Sequence, residues 1–140
     1  MSNNELILIH FSFCLFMTGI IWVIQRVHYP SFQYVNPTDF KSFTKFHNRS
    51  ISFIVMPIMI AELITGVMLI LSYKTIISFI NLFFIILTWL STFMLSVPLH
   101  NKLAKGHDLQ IIKKLISTNW PRTFLWTLRS LMLLCYSQFN

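Results

Sequence analysis

The sequence predicts an all-α protein, a four-helix transmembrane bundle with short interfacial helices in its two cytoplasmic connections. Three observations predict it. Of the 140 residues, 55% are hydrophobic and only 11% are charged, against about a quarter charged in an ordinary soluble domain. The mean hydropathy is +0.65. The apolar residues gather into four runs, Leu6 to Gln25, Ile51 to Tyr73, Thr75 to Val97 and Trp120 to Tyr136, and a helical crossing of hydrocarbon takes about 20 residues. Four crossings with their connections nearly exhaust the chain. One integral membrane domain over residues 1–140 is therefore expected, with no room for a second, soluble one.

The first run follows Met1-Ser-Asn-Asn-Glu5, which lacks the positive stretch and small-residue cleavage site of a leader, so the run is expected to stay as helix one. His10 reads as an interfacial residue near the outer end of that helix. Beyond it, Asn36-Pro37-Thr38-Asp39 has the form of a helix start, with Asn36 as N-cap and Pro37 at the first helical position. Phe40, Phe43 and His47 follow at helical spacing, which either lays a short amphipathic helix on the membrane surface or extends helix two inward.

Backbone polar groups must be paired in hydrocarbon, so each run is helical, and the short Tyr73-Lys74-Thr75 connection makes helices two and three an antiparallel hairpin. Pro57, in the middle of helix two, frees a carbonyl and should kink it. Pro98 should close helix three. Leu109, Ile112 and Leu115 form one apolar face with Gln110, Lys113 and Lys114 opposite, the pattern of an interfacial helix before the fourth span. Cys14 and Cys135 lie in apolar stretches and read as small buried hydrophobes.

A net charge of +7 would suit nucleic acid if it were gathered on one face, but the charges fall between the apolar runs, so no nucleic-acid partner is expected. Arg26, Lys41, Lys45 and Arg49 occupy the first long connection, and Lys102, Lys105, Lys113 and Lys114 the second; the other side has only Lys74. By the positive-inside rule both connections face the cytoplasm and both termini the outside, as in a multi-pass protein of a bacterial inner membrane. The lysines suit anionic lipid, and the bilayer is the first expected partner. Four short helices enclose little volume, which leaves a homo-oligomer open, although none of the three glycines forms a Gly-x-x-x-Gly face.

Charged groups inside hydrocarbon are costly and become functional candidates. Glu62 lies roughly 18 Å along helix two from its cytoplasmic start and Arg129 roughly 15 Å along helix four, at 1.5 Å per residue. Their similar depth predicts a buried ion pair, either structural or engaged with substrate. A second set forms a belt at the cytoplasmic ends. Gln25 and His28 close helix one, His47 opens helix two, His100 closes helix three, and Asn119 with Arg122 opens helix four.

His28, His47 and His100 could ligate a transition metal such as Fe, Cu or Zn, since imidazole suits all three. A bis-histidine haem would draw two of them from matched depth, although nothing in the spacing specifies haem. Without a metal, the same histidines can exchange protons while Arg122 holds an anionic oxygen and Gln25 and Asn119 orient the groups. The reading is a small membrane enzyme, an oxidoreductase or oxygenase, acting on a lipophilic small molecule at the cytoplasmic mouth of the bundle. The alternative is a non-enzymatic membrane subunit or small carrier in which the Glu62–Arg129 pair is structural.

Two segments carry a family resemblance. Val97-Pro98-Leu99-His100-Asn101-Lys102-Leu103 resembles the turn ending the third helix in the anthrone-oxygenase-like family of small membrane proteins. Trp120-Pro121-Arg122-Thr123 resembles that family's approach to its fourth helix, and Tyr29-Pro30-Ser31-Phe32 and Val55-Met56-Pro57 are similar too. The block Gln25-Arg26-Val27-His28-Tyr29-Pro30 resembles an uncharacterised bacterial branch of four-helix integral membrane proteins. The resemblance implies a four-helix bundle and oxygenation of polyketide anthrones without an obvious cofactor. This chain departs from the pattern at His100, where a less distinctive residue is expected, and in lacking a histidine shortly before Arg122, where Asn119 stands nearby.

Overall fold

A computed structural model describes residues 3–138. Met1 and Ser2, on which the leader reading partly rests, lie outside the described residues. Helix α1 runs over Asn3–Val23, passes through a π-helical turn at Ile24–His28 and a single turn at Tyr29–Ser31, and ends in a 3-10 turn at Phe32–Tyr34. Helix α2 spans Phe40–Tyr73. Helix α3 comprises Ile76–Ser91, a second π-helical turn at Thr92–Ser96 and a final segment Val97–Leu103. Helix α4 spans Leu109–Gln138. The described residues contain no strand. Successive helices pack antiparallel and α4 returns to α1, closing an up-and-down bundle with both long connections at one end.

The bundle is apolar outside and polar within. Leu15, Val23, Phe53, Ile64, Phe83, Met94 and Leu128 are exposed, whereas Thr18, Glu62, Asn81, Arg122 and Arg129 face inward. Segments Asn4–Tyr34, Phe40–Tyr73 and Ile76–Leu103 are long and apolar enough to cross a membrane. Helix α4 matches them in length at 30 residues, but Asn119, Arg122, Thr123, Arg129 and Ser130 on its buried side lower its hydropathy. Its outward residues Phe124, Leu128 and Leu131 are exposed and apolar. Cys14 is buried as expected; Cys135 is not, and lies on the outer surface.

Several local expectations are corrected. Of the two outcomes expected for the segment with Phe40, Phe43 and His47, the structure has the inward extension of α2, whereas the segment expected as an interfacial helix before the fourth span is continuous with α4. Phe40, Thr44 and His47 bury one stripe of α2, and Ile112 and Leu115 are fully buried on α4, so both segments pack on the bundle. Asn36 does not cap α2. Its side-chain oxygen accepts from the Thr38 backbone N–H at 3.1 Å and the Thr38 hydroxyl at 3.0 Å, a local turn before the helix begins. Asp108, passed over in the sequence, caps α4 by accepting from the N–H groups of Gln110 at 2.8 Å and Ile111 at 3.1 Å.

Pro98 does not close α3. The preceding π turn places an i to i+5 bond from Val97 N–H to the Thr92 carbonyl, and the helix continues past the proline, whose ring has no N–H to donate. The same device precedes Pro30 in α1, where Tyr29 N–H bonds to the Ile24 carbonyl. At the opposite end, Lys74 turns the α2–α3 hairpin in a left-handed conformation at φ 49°, and the Thr75 hydroxyl oxygen caps α3 by accepting from Ser78 N–H at 3.3 Å.

Candidate functional site

Two polar clusters occupy the interior, one at the end that carries the connections and one nearer the middle. At the connection end the structure gathers the whole belt of Gln25, His28, His47, His100, Asn119 and Arg122. The amide of Gln25 donates to the Ile116 carbonyl at 3.1 Å and accepts from the Asn119 amide at 2.8 Å. The Asn119 oxygen in turn accepts from Arg122 Nε at 3.0 Å and from its Nη2. Arg122 is thereby aimed. Its Nη1 reaches Thr92 Oγ1 at 3.3 Å and its Nη2 the Tyr29 hydroxyl at 3.4 Å.

The Tyr29 hydroxyl also lies 3.0 Å from His100 Nε2. With His100 Nε2 unprotonated the Tyr29 hydroxyl donates to it while accepting from the guanidinium; with Nε2 protonated its oxygen accepts from both. His28 Nε2 and His47 Nδ1 are 2.6 Å apart, sharing one hydrogen bond. The rings of His47 and His100 are neighbours with centroids 5.4 Å apart, and His47 Nε2 and His100 Nδ1 are both buried without a hydrogen-bond partner. Phe32 packs edge-on against both His28 and His47, Phe43 stacks on His47, and Phe40 backs Phe32 from behind.

The three histidines thus meet, with one nitrogen of each ring bonded, His28 and His47 to one another and His100 to Tyr29. Among the described residues no group of three or more His, Cys, Asp or Glu is arranged to hold a metal ion. The geometry suits proton exchange better than ligation.

Tyr29, His100 and Arg122 form the polar end of a cavity of about 110 Å³. Its remaining walls include Met17, Ile21, Val55, Met59 and Trp126, and Ser96 joins the polar end with a buried hydroxyl that has no hydrogen-bond partner. Ser52 on α2 and Phe93 and Val97 on α3 line the cavity and are exposed. The cavity therefore opens sideways between these two helices, onto the apolar outer surface.

The second cluster contains the expected ion pair. Arg129 Nη1 lies 3.1 Å from Glu62 Oε1, and both side chains are buried. Arg129 Nε donates to Asn81 Oδ1 at 3.1 Å, the Asn81 amide donates to His10 Nε2 at 2.9 Å, and His10 Nδ1 meets Thr65 Oγ1 at 2.7 Å. The Thr65 hydroxyl donates to the Ala61 carbonyl at 2.7 Å, so the imidazole is the donor to Thr65 and carries its proton on Nδ1. His10 is therefore not interfacial. It is fully buried, because three other helices supply partners at its depth.

The sequence reading placed the belt and the pair and missed the residues that join them to the helices, Tyr29, Thr92, Ser96 and Trp126 at the cavity and His10, Thr65 and Asn81 around the pair. The available signals were two prolines just beyond apolar runs and lone polar residues at helical spacing within them. No family model matches the chain, and no curated protein or solved structure matches it either.

Proposed function

We propose that the protein is a small membrane oxidoreductase of oxygenase-like type that acts on a lipophilic substrate held in the cavity at the connection end. In this reading all four helices cross the bilayer, the connections face the cytoplasm and the termini the outside. The eight basic residues of the connections are all exposed at one end, as a cytoplasmic surface would require. The outward face of α4 has the apolar character of a crossing.

One observation carries the enzymatic reading: Tyr29, His100 and Arg122 converge on a single apolar cavity, with the Tyr29 hydroxyl bonded to both other side chains. His100 Nε2 serves as general base, directly or through the Tyr29 hydroxyl, and Arg122 stabilises the oxygen anion that forms as the substrate loses its proton. The imidazole accepts the proton at Nε2 and passes one from Nδ1 toward His47 and His28. The deprotonated substrate is then the electron-rich species that dioxygen oxidises. Asn119 orients Arg122, and Gln25 orients Asn119.

The test is dioxygen uptake by the purified protein in lipid nanodiscs, offered a panel of lipophilic phenols and carbon acids, with metal content and absorption spectrum recorded on the same sample. Turnover should fall at least about a hundredfold in folded His100→Ala and Arg122→Ala variants. Wild-type rates in both would remove the enzyme reading. The second reading, a non-enzymatic subunit or carrier, rests on the Glu62–Arg129 cluster, which is fully enclosed and shares the features of a structural lock.

A further inference from the structure

Among the described residues Arg122 is a buried cation with no anion bonded to it. It is only 5% exposed, and the oxygens that accept from it belong to Asn119, Thr92 and Tyr29, none of them charged. The four acidic residues of the chain are engaged or placed elsewhere. Glu62 pairs with Arg129, Asp108 caps α4, Asp39 is exposed at the start of α2, and Glu5 belongs to the opposite end of the bundle. Arg129, a similarly buried guanidinium in the same bundle, has its carboxylate. A buried charge left unpaired is strongly penalised, and the penalty falls when an anion is supplied from outside.

The cavity beside Arg122 has the remaining attributes of an anion site with an apolar extension. Ser96, 3% exposed, presents a hydroxyl without a partner, and Tyr29 and His100 stand beside it. The other walls are methionine, isoleucine, valine and tryptophan. A volume of about 110 Å³ is below the ~150 Å³ that accommodates benzene, so it holds a head group and a few carbons while a longer chain leaves through the gap flanked by Ser52, Phe93 and Val97.

We infer that the site binds a single-chain amphiphile with a carboxylate head, received sideways from the hydrocarbon between α2 and α3 and anchored on Arg122. The planar guanidinium matches a carboxylate in two-point contact. This inference rests on the same cavity as the proposed enzyme but adds a ligand that would hold Arg122 in competition with the enzyme's substrate, and its binding can be measured without turnover.

The experiment is equilibrium binding of radiolabelled decanoate to the full-length protein in phosphatidylcholine nanodiscs, with decanol and decyl phosphate as competitors. Saturable binding of one decanoate per chain, poor competition by decanol, and affinity about tenfold weaker in Arg122→Gln support the inference. Val97→Trp, which narrows the gap through which the chain leaves without touching Arg122, should also weaken equilibrium binding of decanoate and keeps the test usable if Arg122→Gln fails to fold. Equal competition by decanol, or wild-type affinity in a folded Arg122→Gln, overturns it. Stronger competition by decyl phosphate, or loss of decanoate binding in phosphatidylglycerol nanodiscs, overturns it in favour of a lipid phosphate. His47→Asn separates the two proposals, since it should abolish turnover and leave decanoate binding unchanged.

Discussion

The indole nitrogen of Trp126 donates to Glu62 Oε2 at 3.0 Å, while the same tryptophan walls the cavity next to Arg122. One buried side chain thus connects the two polar clusters. Trp126→Phe keeps most of the ring but removes the donor. It should cost about 1.5–3 kcal/mol, the range for hydrogen bonds to charged groups, measured by thermal or denaturant unfolding in detergent.

Removing one partner of the buried pair should be more severe. Glu62→Gln leaves the Arg129 charge enclosed without its carboxylate, and the expected loss is about 3–5 kcal/mol, seen as a drop in the yield of monodisperse folded protein. The exchanged double variant Glu62→Arg with Arg129→Glu should regain part of the loss. Equal yields from all three would show that the pair has no structural role.

His10→Leu removes an acceptor for the Asn81 amide and a donor for the Thr65 hydroxyl, both within the core. Unsatisfied buried groups cost about 1–3 kcal/mol each. The substitution should lower the unfolding midpoint even though it makes α1 more apolar. A more stable variant would mean that His10 contributes nothing to the network.

Gly66 allows α2 to approach α3 closely. A Cβ added there would lie 2.6 Å from Ile85 Cδ1 and 3.5 Å from His10 Cε1. Gly66→Ala should destabilise the protein by about 1–3 kcal/mol through overpacking, and Ile85→Val, which deletes the conflicting methyl, should relieve it in the double variant. Additive single effects, measured by the same unfolding assay, would place the strain elsewhere.

The helical runs, the hairpin at Lys74 and the Glu62–Arg129 contact were legible because length, apolarity and the cost of an isolated charge leave few alternatives. Helix α4 was legible as a run by its outward residues Phe124, Leu128 and Leu131, whereas its average hydropathy is lowered by polar residues that only tertiary packing hides. The site was half legible. Arg122 and the histidines are conspicuous in a chain with so few charges, but nothing local to Tyr29 or Ser96 announces a cavity. His10 was misplaced because its burial depends on Thr65 and Asn81, which lie 55 and 71 residues away along the chain.

The two π-helical turns also set the angular phase of everything that follows them. Along α1 a regular stripe through the buried Cys14, Met17 and Ile21 would pass closer to His28 than to Tyr29, yet Tyr29 is buried and His28 only half-buried. Along α3 a regular stripe through Asn81, Ile85 and Thr88 runs on to Leu99 and Leu103, yet His100, about 100° round from Asn81 in such a helix, also faces inward and lines the cavity. Each turn acts as an insertion of one residue, worth about 100° of rotation in a helix with 3.6 residues per turn. Deleting one residue from either turn would swing Tyr29 or His100 out toward the surrounding lipid while leaving the rest of the bundle in phase. The chemistry at this end therefore depends on a difference of a single residue in the count, a feature that substitutions alone would not reveal.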